Sequence, residues 1–184
     1  SGHTGGPISS LDFTYILFKE FLKFDPSDPN WDNRDRFVLS VGHESALIYT
    51  MLYYIGWITL DDLKHFRQLG SKTPGHPERG LTPGIEATTG PLGQGVGNAV
   101  GMAVAEKILS TKFGSDIVNH FTYVLHGDGD IQEPVAQGSI ACAGHWGLSK
   151  LIAFYDSNEA QISGKVSRSD STDYAKMYEA HGWH

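Results

Sequence analysis

With 184 residues, 40% of them apolar and 19% charged, the chain has the size and mix of one globular domain able to bury a core, which excludes a disordered or fibrous class. A formal charge of −7, from 14 basic and 21 acidic side chains with no block of lysines or arginines, argues against nucleic acid or an anionic membrane as partner. A single cysteine, Cys142, excludes an internal disulfide framework and points to a reducing, cytoplasmic compartment, although the absence of a starting methionine leaves room for an upstream segment.

Taken in chain order, residues 8–24, ISSLDFTYILFKEFLKF, gather Asp12, Lys19, Glu20 and Lys23 on one helical face with bulky apolar side chains around the rest. That pattern predicts a helix facing a core over most of its circumference. FDPSDPNWDNRDR reads as a loop, and RFVLSVGH as a short buried strand ending at glycine. The longest apolar run, residues 46–60, is shorter than the about 20 residues a bilayer span needs and predicts a buried helix ending at Gly56. TLDDLKHFRQLG predicts another helix with Thr59 as its N-cap. Residues 70–95 form a long glycine- and proline-rich loop, and loops of that length inside a compact domain are normally functional. Beyond it, Gly93, Gly97, Gly101 and Ala105 recur every four residues, giving a helix a smooth face for close packing in a core or a subunit interface. The spacing completes no dinucleotide fingerprint.

The segment from Phe121 to Asp156 predicts a βαβ unit: FTYVLH a strand, GDG a sharp turn, EPVAQGSIACAGHWG a helix with Pro134 in its first turn, and LIAFYD a second strand. Cys142, among small residues of that helix, reads as a buried structural thiol. Parallel strands of such a unit end on one edge of the sheet, which brings Asp128 and Asn158 together where open α/β sheets bind ligands. The Asp128 carboxylate, the Asn158 amide oxygen and the Ala160 carbonyl make a hard-oxygen set suited to Mg²⁺ or Ca²⁺. Mg²⁺ usually completes its shell with phosphate oxygens, so a diphosphate is the natural missing ligand. Gly127 and Gly129 would admit it, and the N-terminus of the helix after Glu133 would favour it. On residues alone, a solvated acidic turn remains the competing reading.

The segment GDGDIQEPVAQGSIACAGHWGLSKLIAFYDSN resembles the thiamine-diphosphate motif, in which GDG is followed after close to thirty residues by Asn; here 28 residues separate Gly129 from Asn158. Upstream, SGHTGGPIS, WDNRDRFVLSVGHESALIY, FRQLGSKTPGHPERG and ATTGPLGQGVGNAVGMAVAEK, and at the end YEAHGWH, resemble the transketolase family segment by segment and in order, over nearly the whole chain. The resemblance implies the pyrophosphate-binding domain of that family, a three-layer α/β domain with a mainly parallel sheet flanked by helices. It implies Asp128, Asn158 and the Ala160 carbonyl as ligands of Mg²⁺, for which Ca²⁺ or another divalent cation can substitute. It also implies Gly129 and His43 as holders of the diphosphate, with Asn158 beside them, and Gly90 and Leu92 as lining of the thiamine pocket. His3 and His76 match histidines that contact the sugar's hydroxyls and assist proton transfer, a role suited to a pKa near neutrality. Glu133 matches a glutamate near the subunit interface that organises the cofactor site. Asp130 receives no role and is expected to be solvated. His65, His120, His145, His181 and His184 read as surface or packing residues, and His126 as a minor candidate for the cofactor pocket.

The reaction this implies is transfer of a two-carbon ketol unit from a ketose phosphate to an aldose phosphate, with thiamine diphosphate carrying the chemistry. The sequence departs from the family at three places: Glu44 where glycine is usual after the second histidine, Pro134 where glycine is common, and NEA in place of NGI. GDG-x-x-x-EP is also similar to the homodimeric E1 component of pyruvate dehydrogenase. A chain of 184 residues leaves no room for the family's pyrimidine-binding domain. It is therefore expected to be a fragment or a split gene product, incomplete at both ends and inactive alone, completed by that domain on a partner chain of a homo- or hetero-oligomer. Two other classes stay open: a non-catalytic cofactor-binding subunit, and a phosphohydrolase with Asp128 as nucleophile and Asp130 as helper acid. Asp130→Ala should abolish the activity of the phosphohydrolase and change that of the thiamine enzyme little.

Overall fold

Three short apolar runs pair in parallel as β1 (Arg36–Leu39), β2 (Thr122–Gly127) and β3 (Leu151–Asp156), in that order across the sheet. The computed structural model describes residues 2–162 and 164–184. Alternation along the strands sends side chains to two cores. Phe37, Leu39, Tyr123 and Leu125 pack with Leu17, Phe18 and the inner face of helix α3 (Ser45–Tyr54), chiefly Leu47, Ile48, Met51 and Leu52. Val38 and Val124 pack on the other side with Ala99, Val100 and Ala103 of α5 (Gln94–Phe113) and Ala136 and Ile140 of α7 (Pro134–His145). Helices on both faces give the three-layer α/β architecture the sequence implies. Each fully buried Leu, Ile or Val contributes about 1.5–3 kcal/mol, so the two cores account for most of the fold's cohesion.

Before and between these lie α1 (Gly5–Ser9), α2 (Leu11–Ile16), α4 (Leu60–Lys64) and a single helical turn α6 (Asp128–Ile131). After β3 come a two-stranded antiparallel ribbon, β4 (Ala160–Gln161) with β5 (Gly164–Lys165), and α8 (Tyr174–Ala180). Thr59 caps α4 as expected, accepting from the Asp62 amide while Asp62 returns a bond to the Thr59 amide. Among the described residues no helix is long and apolar enough to cross a membrane.

Three expectations need correction. The first predicted helix is broken into α1, α2 and a π-helical turn (Leu17–Phe21), and it touches the core along one stripe through Thr14, Leu17 and Phe18. Ile8, Leu11, Tyr15, Ile16 and Phe21 are exposed, so apolar residues surround the axis without a core surrounding them. The helix predicted from Thr59 to Gly70 stops at Lys64, because Arg67 and Gly70 take left-handed backbone, at φ 63° and 77°. Cys142 is exposed, since α7 turns Ala136, Ile140 and Ala143 inward and leaves Cys142 outside. The small-residue stripe of α5 is packed along one half within the chain. Gly97 meets Val135 and Ser139 of α7, whereas Gly101 faces open space in a shallow concavity of about 470 Å³.

Candidate active site

Strand register pairs Gly127 with Asp156, so the GDG turn after β2 and the loop after β3 leave the sheet at the same edge. Asp128 opens α6 there and is buried. One of its carboxylate oxygens, Oδ1, accepts a hydrogen bond from the Tyr155 hydroxyl, while Oδ2 is buried without a partner among the described residues. An unpartnered buried carboxylate oxygen is costly and is relieved by a cation. The α6 turn lies against β4, which brings Ala160 beside it. Asn158 is exposed and turned onto its own loop. Its amide nitrogen donates to Asp156 Oδ2 at 2.9 Å, and its oxygen accepts from the Ala160 amide at 2.9 Å. No group of three or more His, Cys, Asp or Glu side chains is placed to hold a metal among the described residues. The oxygens at this edge are the Asp128 and Asp156 carboxylates with neighbouring amide and carbonyl groups, hard donors of the kind Mg²⁺ takes together with phosphate oxygens.

Asp130 is not solvated, contrary to expectation. It is wholly buried, and its Oδ1 accepts the Gly93 amide at 2.5 Å and the Ser40 hydroxyl at 3.1 Å. Ser40, just past β1, also accepts the Val96 amide at 3.2 Å. One carboxylate thus ties the GDG turn, the end of β1 and the start of α5 together. Burial raises its pKa above the usual carboxylate range, against the pull of those hydrogen bonds. So enclosed, Asp130 cannot reach a leaving group, and the phosphohydrolase reading loses its helper acid.

The same edge collects three histidines from three distant segments. The His3 and His43 rings lie 4.9 Å apart, and His76 acts electrostatically on His43. Burial holds His43 below the ordinary imidazole range, His3 and His76 push the same way, and Asp156 opposes. His76 is lowered by burial, with Arg67 and His3 adding. Neutral rings keep one N–H to donate and one nitrogen to accept. Hydrogen bonds from Ser45 to the Gly75 carbonyl (2.8 Å) and from Tyr49 to the Pro74 carbonyl (3.0 Å) anchor the His76 loop to α3.

Glycines permit the close approaches around this cluster. Gly90 has φ 143°, and a side-chain carbon there would stand 3.2 Å from the His76 ring. Gly129 is packed by Leu92, at 3.1 Å from where its Cβ would be. Gly93, at φ 79°, opens α5 under the Glu133 side chain, with 2.7 Å from its would-be Cβ to Glu133 Cβ. Leu92 is thereby joined to Gly129, Gly90 to His76, and Glu133 to the start of α5. His126, by contrast, is held in the core behind the edge. Its Nε2 is hydrogen-bonded to the Tyr178 hydroxyl at 2.8 Å, its ring stacks on Tyr155, and burial lowers its pKa to about 4.

Sequence reasoning missed Tyr155, which holds Asp128, along with Ser40 and Asp156. The strand pairing carried a signal for Tyr155: two positions along from Ala153 it returns to the same sheet face as His126, level with the end of β2.

An open parallel sheet bearing an acidic glycine turn and a histidine cluster at its carboxyl edge is the architecture of a cofactor-binding α/β enzyme. Comparison with known proteins makes the assignment specific. The family model described as "Transketolase, thiamine diphosphate binding domain" matches residues 1–184, and the chain belongs to that family. It is 54% identical to Transketolase 1 of Vibrio cholerae over 188 aligned residues, covering 100% of this chain and 28% of that protein. It is 51% identical to the transketolase of Geobacillus stearothermophilus, with the same coverage of 100% and 28%. Among solved structures, the transketolase from Leishmania mexicana superposes with a TM-score of 0.98 at 50% identity, covering 100% of this chain and 28% of that one. The Pichia stipitis transketolase solved in complex with sedoheptulose-7-phosphate gives a TM-score of 0.91 at 44% identity, again covering 100% and 28%. The chain thus spans about 28% of the length of these relatives.

Proposed function

We propose that residues 1–184 are the diphosphate- and metal-binding domain of a transketolase, acting with a pyrimidine-binding domain on a partner chain of an oligomer. The observation that carries this reading is the buried, unpartnered Oδ2 of Asp128 at the carboxyl edge of the sheet, inside the stretch matched by the family model. Asp128, the Asn158 amide oxygen and the Ala160 carbonyl would hold Mg²⁺ or Ca²⁺. Thiamine diphosphate, when bound, supplies the electron sink needed to carry a two-carbon ketol unit between sugar phosphates.

The chain's own residues have the remaining work. Gly129, lacking a side chain, would let a phosphate approach the first turn of α6, and a neutral His43 would donate one N–H to a phosphate oxygen. Gly90 and Leu92 wall the thiamine ring. His3 and His76, close to His43, would hold and move a proton at sugar hydroxyls. Glu133, packed on Gly93, supports the site from the side where the partner domain would meet it. The sugar-phosphate substrate class is supported by the relative solved with sedoheptulose-7-phosphate.

Calorimetric titration of thiamine diphosphate into the chain, with and without Mg²⁺, tests the proposal. The expected result is binding that requires Mg²⁺ and is lost in Asp128→Ala. Equal binding by the variant, or no binding even after a transketolase pyrimidine-binding domain is supplied, would overturn it.

A further inference from the structure

Glu44 ends the 3₁₀ turn Gly42–Glu44 beside His43 and is only 2% exposed. Its carboxyl lies under the backbone of α1. A side-chain carbon added at Gly6 would sit 2.0 Å from Glu44 Oε1 and 2.4 Å from its Cδ, so any side chain at Gly6 would displace this carboxyl. The charged groups acting on the carboxyl are both acids, Asp156 at the end of β3 and Asp130 in α6; α1 and α2 contribute the neutral Ser10 hydroxyl. Glu44 Oε2 and Thr14 Oγ1 are buried with no hydrogen-bond partner among the described residues. The α1 segment above has no buried residue of its own, and the Ser9 hydroxyl bonds Asp156 Oδ2 at 3.2 Å. Helix α1 is therefore seated largely on a carboxyl group in an acidic corner.

We propose that Glu44 is a positioning residue: as a neutral acid it seats α1 on the sheet edge with His3 against His43, and on losing its proton it releases that segment. The clamp follows from the burial, the Gly6 approach and the acidic surroundings. Only its consequence for His3 as a substrate-contacting group rests on the transketolase reading. Burial first, with Asp156 and Asp130 adding and the Ser10 hydroxyl opposing, raises the Glu44 pKa from the ordinary 4.5 to about 7. Lifting α1 admits water, and the value falls back toward 4.5. Because the seated pKa is the higher one, seating is strongest below pH about 4.5, weakens as pH rises toward about 7 and changes no further above that.

The test is amide hydrogen exchange in the full chain without cofactor or metal, from pH 5 to 8, with each rate corrected for intrinsic exchange. The reporters are the Ile8 and Ser10 amides, bonded to the Thr4 and Gly6 carbonyls at 3.3 and 2.9 Å. Their protection is expected to fall by up to about tenfold per pH unit as far as neutrality and then level off, the limit for one linked proton. Glu44→Gln, neutral and of the same shape, should hold the high protection at every pH. Asp156→Asn, which removes one of the acids, should move the levelling-off to lower pH. Wild-type protection that ignores pH, or the same fall in Glu44→Gln, would overturn the proposal. Since no cofactor is present, failure of the thiamine reading would leave these outcomes untouched.

Discussion

Replacing Asp130 by alanine should unfold the domain's edge rather than leave it indifferent. The carboxylate is fully buried and serves two donors through one oxygen, the Gly93 amide at 2.5 Å and the Ser40 hydroxyl at 3.1 Å. Its removal orphans both donors in a place water does not reach, at about 1–3 kcal/mol each. Against that stands relief of a carboxyl whose burial disfavours its charge. The net loss should be about 2–4 kcal/mol, or roughly 4–16 °C in Tm for a chain of this size. Asp130→Asn keeps an acceptor at the same place and drops the charge, so its stability at pH 7 should equal or exceed that of the wild type. The sign follows from the raised pKa. A group that holds its proton more tightly when folded adds stability that is full below its unfolded value and lost as pH rises through the folded one. The wild type should therefore gain on acidification toward pH 5 relative to the asparagine variant. Urea unfolding of the three proteins at pH 5 and pH 8 measures all of this. An alanine variant within about 0.5 kcal/mol of wild type would refute the tether.

Two further substitutions probe the scaffold. A Cβ at Gly95 would stand 2.5 Å from the Ser40 Cα, a backbone atom that cannot step aside, so Gly95→Ala should cost about 1–3 kcal/mol by urea unfolding and disturb Asp130 through Ser40. Arg34 grips Glu86 with two hydrogen bonds of 2.8 Å, and Glu86 is only 7% exposed with Arg36 next nearest at 3.9 Å. Arg34→Ala, which leaves that carboxylate half paired, should cost about 3–5 kcal/mol in the same assay, and a loss below about 1 kcal/mol would show the pair to be effectively solvated.

The sheet was legible because short apolar runs bounded by glycine or turn residues and the strand–glycine–helix–strand order are local signals, and β2 and β3 lie where that order places them. The N-terminal helix was misjudged for a physical reason: apolar residues around a helix show that it can be buried, not that a partner surface exists to bury it. Ile8 and Phe21, at 72% and 68% exposure, have no such surface within the described residues. Asp130 was misjudged because its partners are an amide and a hydroxyl 37 and 90 positions away, and no local pattern announces a bond to a distant backbone N–H. Within GDGD the letters do not distinguish the two carboxylates. The fold does, by tying one oxygen of Asp130 to two donors from distant segments and giving Asp128 only the Tyr155 hydroxyl, each carboxylate keeping a second buried oxygen with no partner among the described residues.

That difference bears on the order of events at the edge. The charged side chains acting on Glu44 are Asp156 and Asp130, and the one acting on Asp130 is Glu133, all acids. A diphosphate approaching the GDG turn alone would add negative charge where buried carboxylates already repel each other, and the amides of a single helical turn offset little of that. A divalent cation on Asp128 reverses the local sign and offers the phosphate oxygens a positive partner. On the proposed reading, the metal must therefore arrive with or before the diphosphate, and a chelator should abolish the calorimetric signal rather than weaken it. The histidines cannot replace the metal in this respect, since burial and mutual crowding keep His43 and His76 from charging near neutral pH. What they retain is an N–H to donate and a lone pair to accept, which is what proton traffic at a sugar hydroxyl requires and what binding a diphosphate on its own does not.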